Sequence, residues 1–329
     1  MPQHSRPRFL VAQTSSVPER LVWPPEVDVI DERGWVDRFA ARFPAPATAF
    51  GYVLAQTLWG FWLLWRARGY QAAAVGRYGN FYIVFAAMLG LRRPTVLTDV
   101  ERRRVGLSLV DRRVARAATR IGCFTRAEMS SFAAQYGTPP EKFRFLPYCS
   151  QQRDLRPQVR DGGYILSAGR NARDWPTLLQ AVDGLPHPVH ILSPQRFDRL
   201  PANCSARLVS HEEYFDELAN CGCMAVALQP ERYRVTGMIT FVTALAMGKP
   251  VVLAGPQAGN DYIEHGVTGF CHDYGDSAGV RASLTRLMAD GILRERMSRA
   301  ARERAEREFS LAAHRERILE LLRDAAASA

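Results

Sequence analysis

A chain of 329 residues is too long for one ordinary core and fits two domains of about 150 residues each. Apolar residues make up 47% and charged residues 23%, the ordinary balance of a folded soluble protein, so fold class has to come from pattern. The formal net charge is +10, and because lysine occurs only at Lys142 and Lys249, arginine supplies almost all of the basic residues. That bias reads either as the mark of a GC-rich genome or as attraction to phosphate groups or an anionic membrane face. The arginines are spread along the chain and no nucleic-acid motif accompanies them, so no nucleic-acid partner is expected.

In chain order, Phe9 to Ala12 and Val27 to Ile30 read as strands and Trp35 to Phe43 as a helix. Pro44 to Trp65 carries no charge and includes Tyr52, Trp59, Trp62 and Trp65. This segment, 47–66 at its core, has three open readings: a helix packed in the first domain, a helix lying in a membrane interface, or a span. Ala72 to Val75 reads as a strand, Phe81 to Leu89 as a helix and Thr95 to Thr98 as a strand. Val110 to Arg120 follows as a basic helix leading into strand Ile121–Phe124. Thr125 with Glu128 forms a capping box for the next helix, which ends near Gly137 before strand Phe143–Leu146.

Gln151 to Gly163 is polar and rich in proline and glycine, and reads as a linker. The domains are therefore expected at 1–152 and 164–310, joined by 153–163 and followed by a C-terminal helix over 311–329. The second half restarts the alternation. Strands are expected at Tyr164–Ser167, Val189–Leu192, Arg207–Val209, Met224–Leu228 and Val251–Leu253, with helices at Trp175–Val182, Glu212–Leu218 and Ile239–Met247. Strands alternating with helices predict two α/β domains with parallel sheets, Rossmann-like, facing a cleft with ligands at the carboxyl ends of the strands.

The chemistry concentrates at two turns. Gly237-Met238-Ile239-Thr240 opens a helix, where a glycine lets phosphate approach free N–H groups and the positive end of the dipole; a plain glycine turn is the alternative. Gly169-Arg170-Asn171-Ala172-Arg173 joins the first strand of the second domain to its helix. Two arginines there can clamp a diphosphate, or one can bridge to a carboxylate on a solvated loop. Gly259 to Gly269 reads as a further glycine-bounded turn containing Asp261. In the first domain Asp99 and Glu101 follow a strand, two residues apart. One can orient or deprotonate an acceptor hydroxyl, or the pair can cap a helix and balance Arg102, Arg103 and Arg104. Arg77, Tyr78 and Asn80 follow another strand and can line the acceptor side. The seven histidines show no ligand spacing, no CxxC pair occurs among the six cysteines, and no GxGxxG follows the first strand. Neither a metal nor a nicotinamide cofactor is expected, and a reduced cytosolic setting is. No long apolar stretch follows the basic residues at the start, so no secretory leader is expected.

The second half resembles the donor domain of retaining GT-B glycosyltransferases, the large family-4-like group. The resemblance is carried by Tyr164 to Arg170 with Leu178 to Ala181, by Ala244-Leu245-Ala246-Met247-Gly248-Lys249-Pro250-Val251-Val252, and by Asp261 to Gly269. Asp273 to Ser310 adds the closing helices, and Arg120 to Pro147 resembles the last part of that family's first domain. Together these cover roughly half the chain, in order.

That resemblance implies transfer of a sugar from a nucleotide-diphosphate donor to a hydroxyl acceptor, with no divalent metal required. Arg170 and Arg173 match the basic pair on the donor diphosphate, beside the strand-ending Gly169. Gly237, Met238 and Ile239 match the phosphate loop, with Thr240 next, and Asp261 matches an acidic position. Two departures stand out. Thr243 and Val235 fall where most members carry paired glutamates, which points to an atypical branch and leaves Glu231 as the acid nearest in sequence. The glycine-rich acceptor loop near residue 10 is also absent. The uncharged aromatic segment makes a lipid-linked acceptor and a place at the inner face of the plasma membrane part of the expectation. A sugar-nucleotide-binding protein without catalysis and a GT-B epimerase are the alternatives.

Overall fold

The computed structural model describes residues 8–13, 22–44, 47–76, 80–91, 93–98, 108–150, 155–156, 158–230 and 237–328. The chain divides into two compact units, 1–146 with 314–329, and 147–313.

In the first unit come β1 (Phe9–Gln13), β2 (Val27–Asp31), α1 (Glu32–Ala40), α2 (Thr48–Arg66), β3 (Ala72–Val75), α3 (Asn80–Met88), β4 (Thr95–Leu97), α4 (Ser108–Ala117), β5 (Arg120–Cys123), α5 (Arg126–Tyr136) and β6 (Phe143–Phe145). The six strands form one parallel sheet in the order β2-β1-β3-β4-β5-β6. Short runs such as Ala72–Val75, buried on both faces, are what a parallel sheet covered by helices requires. The capping box at α5 forms as its sequence dictates: Glu128 N–H donates to Thr125 Oγ1 at 3.1 Å, Thr125 N–H returns to the Glu128 carboxylate, and Gly137 closes the helix in the left-handed region.

The uncharged segment is helix α2, packed within this unit. Gly51, Ala55, Trp59, Gly60, Leu63 and Leu64 form its buried side. Gly60 is the crossing point with α3, for a Cβ there would lie 2.9 Å from Phe81 Cβ and from the Tyr82 nitrogen. Among the described residues no helix is long and apolar enough to cross a membrane.

The second unit contains β7 (Ile165–Ala168), α6 (Trp175–Val182), β8 (Val189–Leu192), β9 (Cys204–Arg207), α7 (His211–Asn220), β10 (Cys223–Ala227), α8 (Met238–Ala246), β11 (Val251–Ala254), α9 (Pro256–Tyr262), β12 (Gly269–His272), α10 (Ser277–Ala289) and α11 (Gly291–Glu308). Its sheet is also parallel, in the order β12-β11-β10-β7-β8-β9. The chain therefore builds outward from β7 through β8 and β9, then returns to the other side of β7 with β10. The β7–β10 seam is the switch point at which open α/β sheets bind ligands.

Two expectations change here, and one strand is added. The strand placed at Arg207–Val209 lies at Cys204–Arg207, an edge strand whose alternating exposure leaves no apolar run to read. The turn expected around Gly259 and Asp261 is helix α9, started by Pro256 after Gly255, and β12 follows it unanticipated.

The final helix, α12 (Leu311–Ala327), returns to the first unit. Ile318, Leu319, Leu321, Leu322 and Ala325 cover the sheet face made by Phe9, Val11, Ala72, Ala74 and Val96. Asp324 accepts from Arg120 Nε at 2.6 Å and fixes the helix along the strand ends.

Candidate active site

The β7–β10 seam is closed by Arg173. Its backbone bridges Leu228 in antiparallel fashion, Asp174 N–H donates to Ala227 O at 2.9 Å, and Gln229 N–H donates to Ala172 O at 3.0 Å. The turn that makes this possible holds Gly169 at φ +140° and Ala172 at φ 50°. Gly169 is required for a second reason: a Cβ there would lie 2.2 Å from Arg173 Nη2, so the guanidinium rests on the glycine itself. Asp174 then caps α6, accepting from Thr177 N–H at 3.2 Å.

The Arg173 guanidinium donates from Nε to Ala168 O at 2.9 Å, from Nη1 to Asn171 O at 3.0 Å and from Nη2 to Thr240 Oγ1 at 3.1 Å. Thr240 stands in the first turn of α8, so this side chain ties the end of β7 to the start of α8. Arg173 is only 7% exposed, and no carboxylate among the described residues pairs with it. Burial pushes its pKa down to about 10, which leaves it protonated at neutral pH. A buried cation held by neutral acceptors is costly unless an anion completes it.

The start of α8 lies beside this guanidinium. Gly237 adopts φ +87° and no side chain caps the helix. A Cβ at Gly237 would sit 3.2 Å from Leu228 Cδ2 and 3.4 Å from Arg173 Nη1, which places the buried guanidinium beside the helix tip. Uncapped first-turn amides and the helix dipole attract anions. Within that turn Met238 is buried, Ile239 is exposed and Thr240 is half-buried. Thr243, further along, lies inside the core.

Arg170 and Arg173 line one depression of about 580 Å³ at this edge of the sheet. Trp175 and Phe197, edge to face at 5.4 Å, form part of its wall. Arg196, Arg199 and Gln229 also reach it, and none of them stood out in the sequence. Arg196 and Arg199 follow β8, and only the sheet order, which sets β8 next to β7, brings them to the same carboxyl edge. Ser193 Oγ joins the two loops by donating to Gly169 O at 2.8 Å. Four arginines thus face a wall with one acid, Asp198.

The remaining expected residues are not gathered here. Asp261 is buried near the end of α9, its carbonyl accepting from Arg304 Nη2 at 3.2 Å, and it does not line the depression. Asp99, Glu101, Glu231, Arg77 and Tyr78 lie outside the described residues, as does Val235; Asn80 is the first residue of α3. Among the described residues no group of three or more His, Cys, Asp or Glu converges as metal ligands.

Residues 218–304, from the end of α7 into α11, match the family Glycosyl transferases group 1. A search of curated proteins gives no match. Solved structures share the fold. TarM from S. aureus, in a complex with Fondaparinux, alpha-GlcNAc-glycerol and UDP, has a TM-score of 0.59 at 13% identity over 82% of this chain. The present chain spans 59% of that protein's length. Sucrose-phosphate synthase from Thermosynechococcus elongatus has a TM-score of 0.63 at 14% identity, covering 98% of this chain and 89% of that one. HepE from Anabaena, in complex with UDP and glucose, has a TM-score of 0.61 at 16% identity, covering 96% and 99%. The second half thus carries a glycosyl transferases group 1 region, and the chain as a whole has the two-sheet GT-B fold of these proteins.

Proposed function

We propose that this enzyme moves a sugar from a nucleotide-diphosphate donor to a hydroxyl acceptor, with retained configuration, in the synthesis of a glycan, glycolipid or glycosylated natural product. The observation that carries the reading is Arg173, a buried guanidinium with no carboxylate partner among the described residues, set between Gly169 and the uncapped tip of α8. A diphosphate supplies the missing negative charge. UDP in the HepE and TarM complexes agrees with such a donor.

In the reaction the anomeric C–O bond to the diphosphate breaks and the leaving group keeps the electron pair. The acceptor oxygen forms the new C–O bond and gives up its proton to a carboxylate or to the departing phosphate. The protein's contribution is placement and a preorganised positive field from Arg170, Arg173 and the Gly237–Thr240 turn, which carries the developing charge without a divalent metal. Asp99, Glu101 and Glu231 are the candidate carboxylates. Arg77, Tyr78 and Asn80 are assigned to the acceptor side, and a lipid-linked hydroxyl is one of the acceptors this reading admits; Asp261 and Thr243, buried and absent from the lining of the depression, are given no donor contact.

Thermal-shift titration with UDP, GDP and ADP and their glucose conjugates tests this, because a ligand at about 100 times its Kd stabilises the folded form by roughly 2.7 kcal/mol. One nucleotide should raise the transition, and Arg170→Ala should weaken its binding about tenfold or more, the scale of a hydrogen bond to a charged group. Equal shifts in both proteins would remove the diphosphate from this site. The anomer of the product, read by NMR, decides retention.

A further inference from the structure

We infer that the outer face of α2, continued by the end of α3, docks this protein in the plane of an anionic lipid bilayer. The inference goes beyond the transfer reaction and does not depend on it.

Helix α2 is apolar on both sides. Its inner side fills the first unit, yet Phe50, Val53, Leu58, Phe61, Trp62 and Trp65 stand exposed at helical spacing along the opposite side. Phe50 is 63% exposed and Trp65 is 65% exposed. Phe61 stacks on Phe85 of α3 at 4.2 Å, and Met88 and Leu89, one turn beyond Phe85, are exposed as well. The polar group of Thr57 on this side is satisfied within the helix, its Oγ1 donating to Val53 O at 2.8 Å. Scattered surface hydrophobes need no explanation, but a continuous aromatic stripe on two adjacent helices marks an interaction surface.

Charge selects the occupant. Between Asp37 and Asp99 the sequence contains neither aspartate nor glutamate; Arg66 is held by Asp28 of β2, while Arg42 and Arg68 have no ion pair among the described residues. Arg42 and Arg68 are exposed at the two ends of α2. A segment free of acids, with tryptophans at its face and arginines at its ends, matches the headgroup layer of an anionic membrane, where indole rings sit at the boundary and each cation near the surface adds to binding. Since no described helix is long and apolar enough to cross a bilayer, the contact is in-plane.

Flotation of the full chain with phosphatidylglycerol–phosphatidylcholine vesicles, against phosphatidylcholine alone, tests the inference at about 0.1 M salt. The wild type should float at least about tenfold better with the anionic vesicles. Brominated lipid should quench its tryptophan emission. Phe50→Ser with Trp65→Ser, both at exposed positions, should lower partitioning about tenfold or more. Arg68→Glu should weaken binding to anionic vesicles alone. No flotation with either vesicle would overturn the inference, as would flotation unchanged by the double substitution. A dimer seen by sedimentation velocity and broken by the same double substitution, with no flotation, would assign the face to a second copy of the chain. Flotation needs no donor and nucleotide binding needs no vesicle, so failure here leaves the transfer reading standing, and the reverse.

Discussion

Helices α2 and α8 are both built almost wholly from apolar residues, yet the fold treats them in opposite ways. Helix α8 lies between β10, β11 and α11, and Met238, Phe241, Val242, Thr243, Ala244 and Leu245 are all buried; among its large side chains only Ile239 faces outward. Helix α2 packs on α1 and α3 and leaves a full side uncovered. Apolar composition sets that a helix can be buried; its place in the layers decides whether both sides are. In α8 both sides are used by the fold, and the free end is what remains for chemistry. In α2 one side remains.

The sharpest test of that contrast is Phe241→Ala. Phe241 is fully buried and meets the Tyr262 ring at 5.3 Å and 63°. Its truncation leaves a cavity inside the second unit and should cost about 3–5 kcal/mol in urea titration. A loss below about 1 kcal/mol would mean that α8 is not the tightly enclosed helix described here.

The tip of α8 gives the next largest effect. Arg173→Ala removes the donors for Ala168 O, Asn171 O and Thr240 Oγ1 together. It should cost about 1–3 kcal/mol in stability and about a hundredfold in turnover through misplacement of α8. Arg173→Lys should not restore turnover, because an ammonium on a flexible stem does not reproduce a planar fork reaching three directions. Restoration by lysine would reduce Arg173 to a point charge and loosen its tie to Thr240.

On α2 the inner side should respond and the outer side should not. Gly60→Val places new carbons where Phe81 and Tyr82 of α3 already stand. Overpacking of this kind costs about 1–3 kcal/mol. A neutral result in urea titration would show that α2 and α3 can separate freely.

Much of this arrangement was legible in the sequence because the two sheets are written as short apolar runs separated by capped helices. Thr125 with Glu128 and the start of α8 at Gly237 were readable one residue at a time. The failures have local causes. Strand β9 pairs at the sheet edge, so Cys204 to Arg207 alternate in exposure and show no apolar block. Helix α9 carries Gly259 in its middle, and that glycine read as a turn when it serves close packing, since a Cβ there would lie 2.3 Å from Cys271 Sγ. At the site, Arg170 and Arg173 looked like an equivalent pair. Only the left-handed turn through Gly169 and Ala172 shows that Arg173 folds back into the seam while Arg170 stays on the wall of the depression. Arg196 and Arg199 were invisible because sheet order, which brings the loop after β8 beside the loop after β7, is not written in either loop. The return of α12 to the first unit has the same cause: an amphipathic helix announces that it covers a sheet, without saying which one.

The smallest expected effect is the most telling about the outer side of α2. Trp65 is large and apolar, so a transfer scale alone assigns it a loss of more than 1.5 kcal/mol on truncation, roughly the full burial of a large apolar side chain. That value presumes a buried ring, and Trp65 is 65% exposed in the isolated chain. Trp65→Ser should therefore leave the urea midpoint within about 0.5 kcal/mol of wild type, the range of ordinary surface substitutions. Tryptophan and serine have about the same helix propensity, so the substitution adds no helix-propensity loss of its own. A loss of 2 kcal/mol or more would show that the ring is already covered in solution, by another copy or another part of the chain. In that case α2 would join α8 as a helix enclosed on both sides, and the contrast between them would disappear.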